Sequence, residues 1–408
     1  MVRRNGGFIG TDGLDAPDPP TGVSGAGGNA VATISFTAPT DTGTSAITGF
    51  VAVTDAGDGG TGTSSPITIS SLTNGTAYTA RVYAVNAFGT SAASDASASF
   101  SPATPRAIIA GGIAAGESGA AQQLNQIQYF DMGTSGNGSD FGDLSASFEH
   151  AGVVCSTTRA VIGGHSDGNN KNIDYVTTAS TGNATDFGDF TSEHAGTTRA
   201  CGSSTRGMWN SEWDSLNANT VEYITIASTG NGTDFGNKAT SNQQDACCAS
   251  PTRAVFGGGL QGGDKHQDLD YFTIASTGNA AQFGELLAYQ WQLTACSSNT
   301  RGLFAGGDRS SNSTGGATEA KTTVIEYITI ASTGNATDFG DLTEGKHSLA
   351  GTSNNVLGVF TGGNGSANAE INIDKVTIAT TGNATDFGDL HTKKIKHGAS
   401  CTAHGGIA

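Results

Sequence analysis

STGNATDFGDL, residues 332–342, recurs along the chain with small changes: GTSGNGSDFGDL at 133–144, STGNATDFGDF at 180–190, STGNGTDFGNK at 228–238, STGNAAQFGEL at 276–286 and TTGNATDFGDL at 380–390. With the Asn of each copy as marker (Asn137, Asn183, Asn231, Asn279, Asn335, Asn383), the steps are 46, 48, 48, 56 and 48 residues. Self-similarity at that period is the signature of an array of four-stranded units, each of which buries its apolar face only against its neighbours. About three-quarters of the chain is therefore one repeat array.

The fifth unit shows the strands best. Ala295–Ser298 is short and small, Arg301–Ala305 is apolar and ends at Gly306-Gly307, and Val324–Ala331 alternates with period two. Ala336–Leu342 returns as a fourth strand after Thr333-Gly334-Asn335, where Asn and Gly suit a tight turn that needs positive φ. The array enters at Arg106–Ala110, which matches a second strand, and His397–Cys401 after the sixth copy matches a first strand. The C-terminus is thus expected to complete the first unit and close a six-bladed propeller over residues 106–408, removing the free sheet edges.

The pattern resembles the kelch family of propellers. The carrying residues are the pairs Gly111-Gly112, Gly163-Gly164, Gly257-Gly258, Gly306-Gly307 and Gly362-Gly363, followed by Tyr129, Tyr175, Tyr223, Tyr271 and Tyr327. Three departures stand out: Gly207-Met208-Trp209-Asn210 has no Gly pair, Lys375 replaces a Tyr, and the family's fourth-strand Trp is replaced by Phe141, Phe187, Phe235, Phe283, Phe339 and Phe387.

Residues 16–101 hold no cysteine and read as a separate β-sandwich, joined by a stiff linker at 102–105. This stretch resembles a fibronectin type III domain through Pro19-Pro20-x-x-Val23, Phe36, Pro39 and Leu72-Thr73-Asn74-Gly75-Thr76-Ala77-Tyr78. Tyr78 falls at the tyrosine-corner position, and Phe36 where the family usually has Trp. The fold class is all-β throughout.

Composition narrows the functions. A formal charge of −17 with 13% charged residues argues against nucleic acid and anionic membranes. No apolar run is long enough to span a bilayer, and residues 1–15 lack the apolar core of a secretory signal. Cys155, Cys201, Cys247, Cys248, Cys296 and Cys401 fall in first strands, one per unit apart from one adjacent pair, so free thiols lining a central shaft are expected. His150, His194, His347 and His397 recur near the starts of first strands and read as repeated capping groups; no metal and no cofactor is expected. The repeated Asp140, Asp186, Asp234, Asp338 and Asp386 have Arg159, Arg206, Arg253 and Arg301 as candidate partners.

No nucleophile elbow, phosphate loop or HExxH motif is present, and no catalytic residue is assigned. Ligand contact is expected on the variable loops, with Trp213, Tyr289 and Trp291 as candidates because amphipathic aromatics suit sugar faces and protein hot spots. The segment Arg3-Arg4-Asn5-Gly6-Gly7-Phe8-Ile9-Gly10 resembles the N-terminal arms of marine tailed-phage appendage proteins. That resemblance implies a non-enzymatic virion-surface protein, a tail fibre, tail accessory or capsid decoration made in the host cytoplasm. Residues 1–15 and the sandwich would then meet other virion proteins, the propeller would meet a host glycan or receptor, and homo-oligomers are possible. Two alternatives stay open: a bacterial carbohydrate-binding adhesin, and a glycan-cleaving enzyme built on Glu212, Glu319 and Glu326.

Overall fold

A computed structural model describes residues 15–115, 121–165, 171–191, 199–210, 219–313, 320–365 and 368–407. All regular structure among them is β-strand, in two compact units, 1–105 and 106–408. The expected arm at 1–15, apart from Asp15, lies outside the described residues, as do Trp213, His194, Glu212 and Glu319.

The first unit packs two sheets face to face. One holds Thr21–Gly27, Val31–Thr37 and Ile67–Ser70; the other holds Gly59–Gly62, Ile47–Thr54, Ala80–Asn86 and Gly89–Thr90. Period-two alternation turns Ala32, Ile34 and Phe36 towards Phe50, Ala52, Val82 and Ala84, with Phe36 and Phe50 rings 4.8 Å apart. The Tyr78 hydroxyl accepts the Thr73 N–H at 3.0 Å and pins the corner. After Thr90, Ser91, Ser94 and Ser97 accept from the backbone of Ala84, Val82 and Ala80 through their side chains, so a serine every third residue satisfies that edge.

The described residues of the second unit build six four-stranded antiparallel sheets. Their innermost strands are Gly398–Cys401, Glu149–Cys155, Ala200–Gly202, Ala246–Ala249, Thr294–Ser297 and Ala350–Ser353, which touch one another in a closed cycle. Gly398–Cys401 pairs with Arg106–Ala110, so the first sheet takes its inner strand from the end of the chain. No sheet closes on itself.

The repeated block works between sheets. Its Asn has no left-handed backbone, so positive φ is not why it recurs. Instead each carboxamide accepts an N–H from the preceding sheet: Asp143 to Asn183, Asp189 to Asn231, Asn237 to Asn279, Glu285 to Asn335, Asp341 to Asn383 and, across the closure, Asp389 to Asn137, all at 3.1 Å. Asn335→Ala should cost about 1 kcal/mol, the usual net worth of one such bond, in denaturant unfolding of this unit.

The Gly pairs also serve the joints between sheets. At φ 65° and 96°, Gly306 and Gly307 come so close to Lys346 and Trp291 that a Cβ would sit 2.6 Å from each carbonyl oxygen. In the fourth sheet the left-handed pair is Gly258-Gly259, one residue later than the sequence suggests. In the second sheet Gly163-Gly164 stays in a strand running to His165.

The arginines do not pair with the repeated aspartates; no ion pair joins the two sets among the described residues. Each guanidinium lies on its own sheet's tyrosine, 4.3 to 4.6 Å from the ring centroid, and Arg301 Nη1 donates to the Ile378 carbonyl of the next sheet at 2.8 Å. That tyrosine meets the block's Phe edge-on, as Tyr175 does Phe187 at 6.0 Å. In the sixth sheet both partners change: Leu357 takes the arginine's place, and Lys375 stands 5.5 Å from the Phe387 centroid.

Candidate functional site

The long fourth step, into the fifth unit, places its extra residues at 308–324, and there the repeat gives way to a separate three-stranded sheet. Tyr289–Trp291 pairs with Asp308–Ser310, which pairs in turn with Ala320–Lys321. A cleft of about 320 Å³ opens beside it, lined by Ala288, Arg309, Ser310, Ser311, Lys321 and Thr322. Tyr289 and Trp291 are half-buried in the edge strand, and the Trp291 indole N–H is buried without an acceptor.

The cleft's charges are fixed from beneath. Arg309 Nη1 lies 3.3 Å from Glu326, whose buried carboxylate also accepts the Leu287 N–H at 2.7 Å. Burial pushes the Glu326 carboxyl up, while the Leu287 N–H and the Arg309 guanidinium oppose the shift. Lys321 reaches the sixth sheet's hairpin, donating to Asn364 Oδ1 at 2.9 Å and Gly365 O at 2.6 Å. Glu326, one of the three acids of the glycan-cleaving alternative, is thus buried in the floor, and it belongs to a series of third-strand polar residues.

Gln128, Asp174, Glu222, Asp270, Glu326 and Asp374 occupy the same buried place in the six third strands. Each accepts from the linker entering its sheet: Ser145 N–H to Asp174 at 2.8 Å, Thr191 N–H to Glu222 at 2.9 Å, Ala239 N–H to Asp270 at 2.9 Å, Thr343 Oγ1 to Asp374 at 2.6 Å and His391 N–H to Gln128 at 3.0 Å. The available sequence signal is a polar residue immediately before each third-strand tyrosine, or before Lys375 in the sixth strand, inside an apolar alternation.

The space between the inner strands is narrow, with two cavities of about 30 and 40 Å³, room for a few waters each. Arg199 lies over one end, donating from Nε to the Asp245 carbonyl at 3.1 Å. At the other end the C-terminal tail crosses the sheets: His404 Nε2 meets the Cys155 carbonyl at 2.8 Å, and Gly406 O accepts the Ser204 N–H at 3.1 Å. All six cysteines are free and buried, and burial pushes the Cys296 and Cys401 thiols up to about 12. Cys201, Cys247, Cys248 and Cys296 face the shaft; Cys155 and Cys401 lie one position further along and do not line it.

The histidines are not one repeated set. The equivalent left-handed residues before the inner strands are His150, Gln244, Gln292, Ser348 and Lys396, with φ of 55° to 59°. Their backbones form a belt in which His150 N–H donates to Lys396 O, Lys396 to Ser348, Ser348 to Gln292 and Gln292 to Gln244, at 2.7 to 3.0 Å. His347 precedes this position and His397 follows it. Among the described residues no three His, Cys, Asp or Glu side chains are placed to share a metal ion.

Residues 18–100 match the fibronectin type III domain family, so the N-terminal sandwich is a fibronectin type III domain. No curated protein matches the chain.

Proposed function

We propose that residues 106–408 are a six-bladed kelch-like propeller, and that the protein is a non-enzymatic particle-surface component of the virion-appendage class. In this reading it is a tail fibre, tail accessory or capsid decoration. The fibronectin type III domain and residues 1–15 face neighbouring particle proteins, and the propeller meets a host-surface glycan or receptor. One observation carries the binding role: the repeated polar side chains of the third strands and turns are consumed in holding sheet to sheet. The unrepeated cleft beside Tyr289, Trp291 and Arg309 is thereby left as the surface free to vary. The small space between the inner strands supports ligand contact on loops rather than along the axis.

Cryo-electron microscopy of native particles tests the assignment. Density for the sandwich against a tail or capsid subunit, with the propeller outward, is the expected result; finding the protein on a cell envelope overturns it in favour of an adhesin. For the cleft, Tyr289→Ala should lower retention on host cells or a glycan array about tenfold, the weight of one aromatic hot spot, while thermal unfolding stays unchanged.

A further inference from the structure

The first sheet is held shut without a covalent link, through four paired residues between Gly398–Cys401 and Arg106–Ala110. Bases flank that short strand on both sides: buried Lys394 and His397 before it, half-buried His404 after it.

Lys394 occupies the place held elsewhere by Phe148, Asn242, Gln290 and Lys346. Lys346 is the informative comparison, because its Nζ lies 3.0 Å from Asp374 with both groups buried. At the closing joint the acid's place is taken by Gln128, whose Oε1 is used by the His391 N–H and whose Nε2 donates to Gln126 at 2.7 Å. Lys394 Nζ is thus fully buried with no partner, and burial alone draws its ammonium down to about 7.

His397 is equally enclosed: Nε2 meets Thr361 Oγ1 at 2.9 Å and Nδ1 has no partner. Burial, then Lys394 and Arg199, hold its imidazolium well below the ordinary range. His404 is locked as a neutral tautomer, since Nε2 faces the Cys155 carbonyl and Nδ1 accepts the Gly406 N–H at 3.0 Å. A second proton would set one N–H against another, and burial draws this histidine down to about 4. The nearby carboxylate, Glu149, is already occupied by Lys396 at 2.7 Å and His150 at 3.5 Å.

We propose that segment 394–407 is an acid-labile latch, in which proton uptake by the bases flanking the closing strand releases Gly398–Cys401 from Arg106–Ala110 while the other five joints stay shut. The sign follows from linkage. Both histidines are depressed in the folded state, so their contribution is full above about pH 6.5 and is lost progressively as pH falls below it, for His404 down to about 4. Lys394 loses its contribution between its ordinary value and about pH 7, so its burial cost is already in place when the histidines begin to titrate. Release bares the edge of Arg106–Ala110, a template for an incoming strand.

Amide exchange of the full chain at pH 7.5 and 5.0, corrected for intrinsic rates, reads the latch. Opening at 398–407 and 107–110 should rise about tenfold more than at Thr294–Ser297 and Ala350–Ser353. The variant His397→Leu/His404→Gln, with Leu as in the fifth and sixth sheets at position 397, should abolish that excess. An equal rise in all inner strands, no rise, or an excess that survives in this variant overturns the proposal. Should that variant not fold, Gln128→Glu supplies Lys394 with the missing carboxylate. It is then expected to slow exchange at 398–407 about tenfold at pH 7.5, and unchanged exchange overturns the proposal.

Discussion

Lys238→Leu is expected to destabilise the 106–408 unit by about 3–5 kcal/mol, and adding Asp245→Leu is expected to return most of that loss. At the joint between the third and fourth sheets, Lys238 stands where the other units carry Leu144, Phe190, Leu286, Leu342 and Leu390. Asp245 stands where they carry Ala151, Leu293, Leu349 and His397. The two side chains are 1% and 0% exposed and 2.7 Å apart. Lys238 also donates to Asn242 O at 2.8 Å, and Asp245 accepts from Asn210 at 2.6 Å.

Removing the ammonium alone leaves a carboxylate in a site that water does not reach, and the desolvation of Asp245 is then uncompensated. Removing both restores an apolar pair like those of Leu144 with Ala151, Leu286 with Leu293 and Leu342 with Leu349. The measurement is a double-mutant cycle in denaturant, followed by tryptophan fluorescence, since Trp209, Trp213 and Trp291 all lie in this unit. A coupling energy below about 1 kcal/mol would show that the pair is solvated.

The second large effect concerns one glycine rather than its neighbour in space. Gly388 has φ +152°, and a Cβ built there would lie 2.5 Å from the Gly136 carbonyl oxygen across the closing joint. Gly388→Ala should cost about 2–4 kcal/mol, combining a backbone region that L-residues rarely adopt with a clash against main chain that has no side chain to move. Gly136→Ala should cost under about 0.5 kcal/mol, because nothing lies within 4 Å of its Cβ. Equal melting temperatures for the two variants would mean the joint yields, contrary to its hydrogen bond from Gly138 N–H to Asp389 O at 2.7 Å.

These two sites show where sequence reading reached and where it stopped. Strand positions in the fifth sheet were legible to within one or two residues, because period-two alternation and Gly-Asn punctuation act over a few neighbours. The histidine series was misaligned by one residue either way, since the left-handed entry before each inner strand is taken by His, Gln, Ser or Lys with no common side chain to mark it. The aspartate–arginine pairing was wrong because the arginine finds a ring and a carbonyl instead, the latter 77 residues away for Arg301 and Ile378.

By itself, the order of residues determined the number of units, their strands, and the separate sandwich with its tyrosine corner. All of these rest on short-range stereochemistry. Only the tertiary structure decided why the block repeats: Asn137 to Asp389, Gly136 to Gly388 and Gln128 to His391 join residues more than 250 apart. It also decided that Lys346 has a carboxylate while Lys394 has none. Burial and partner choice depend on which sheet comes to lie beside which, and local sequence does not encode that neighbour.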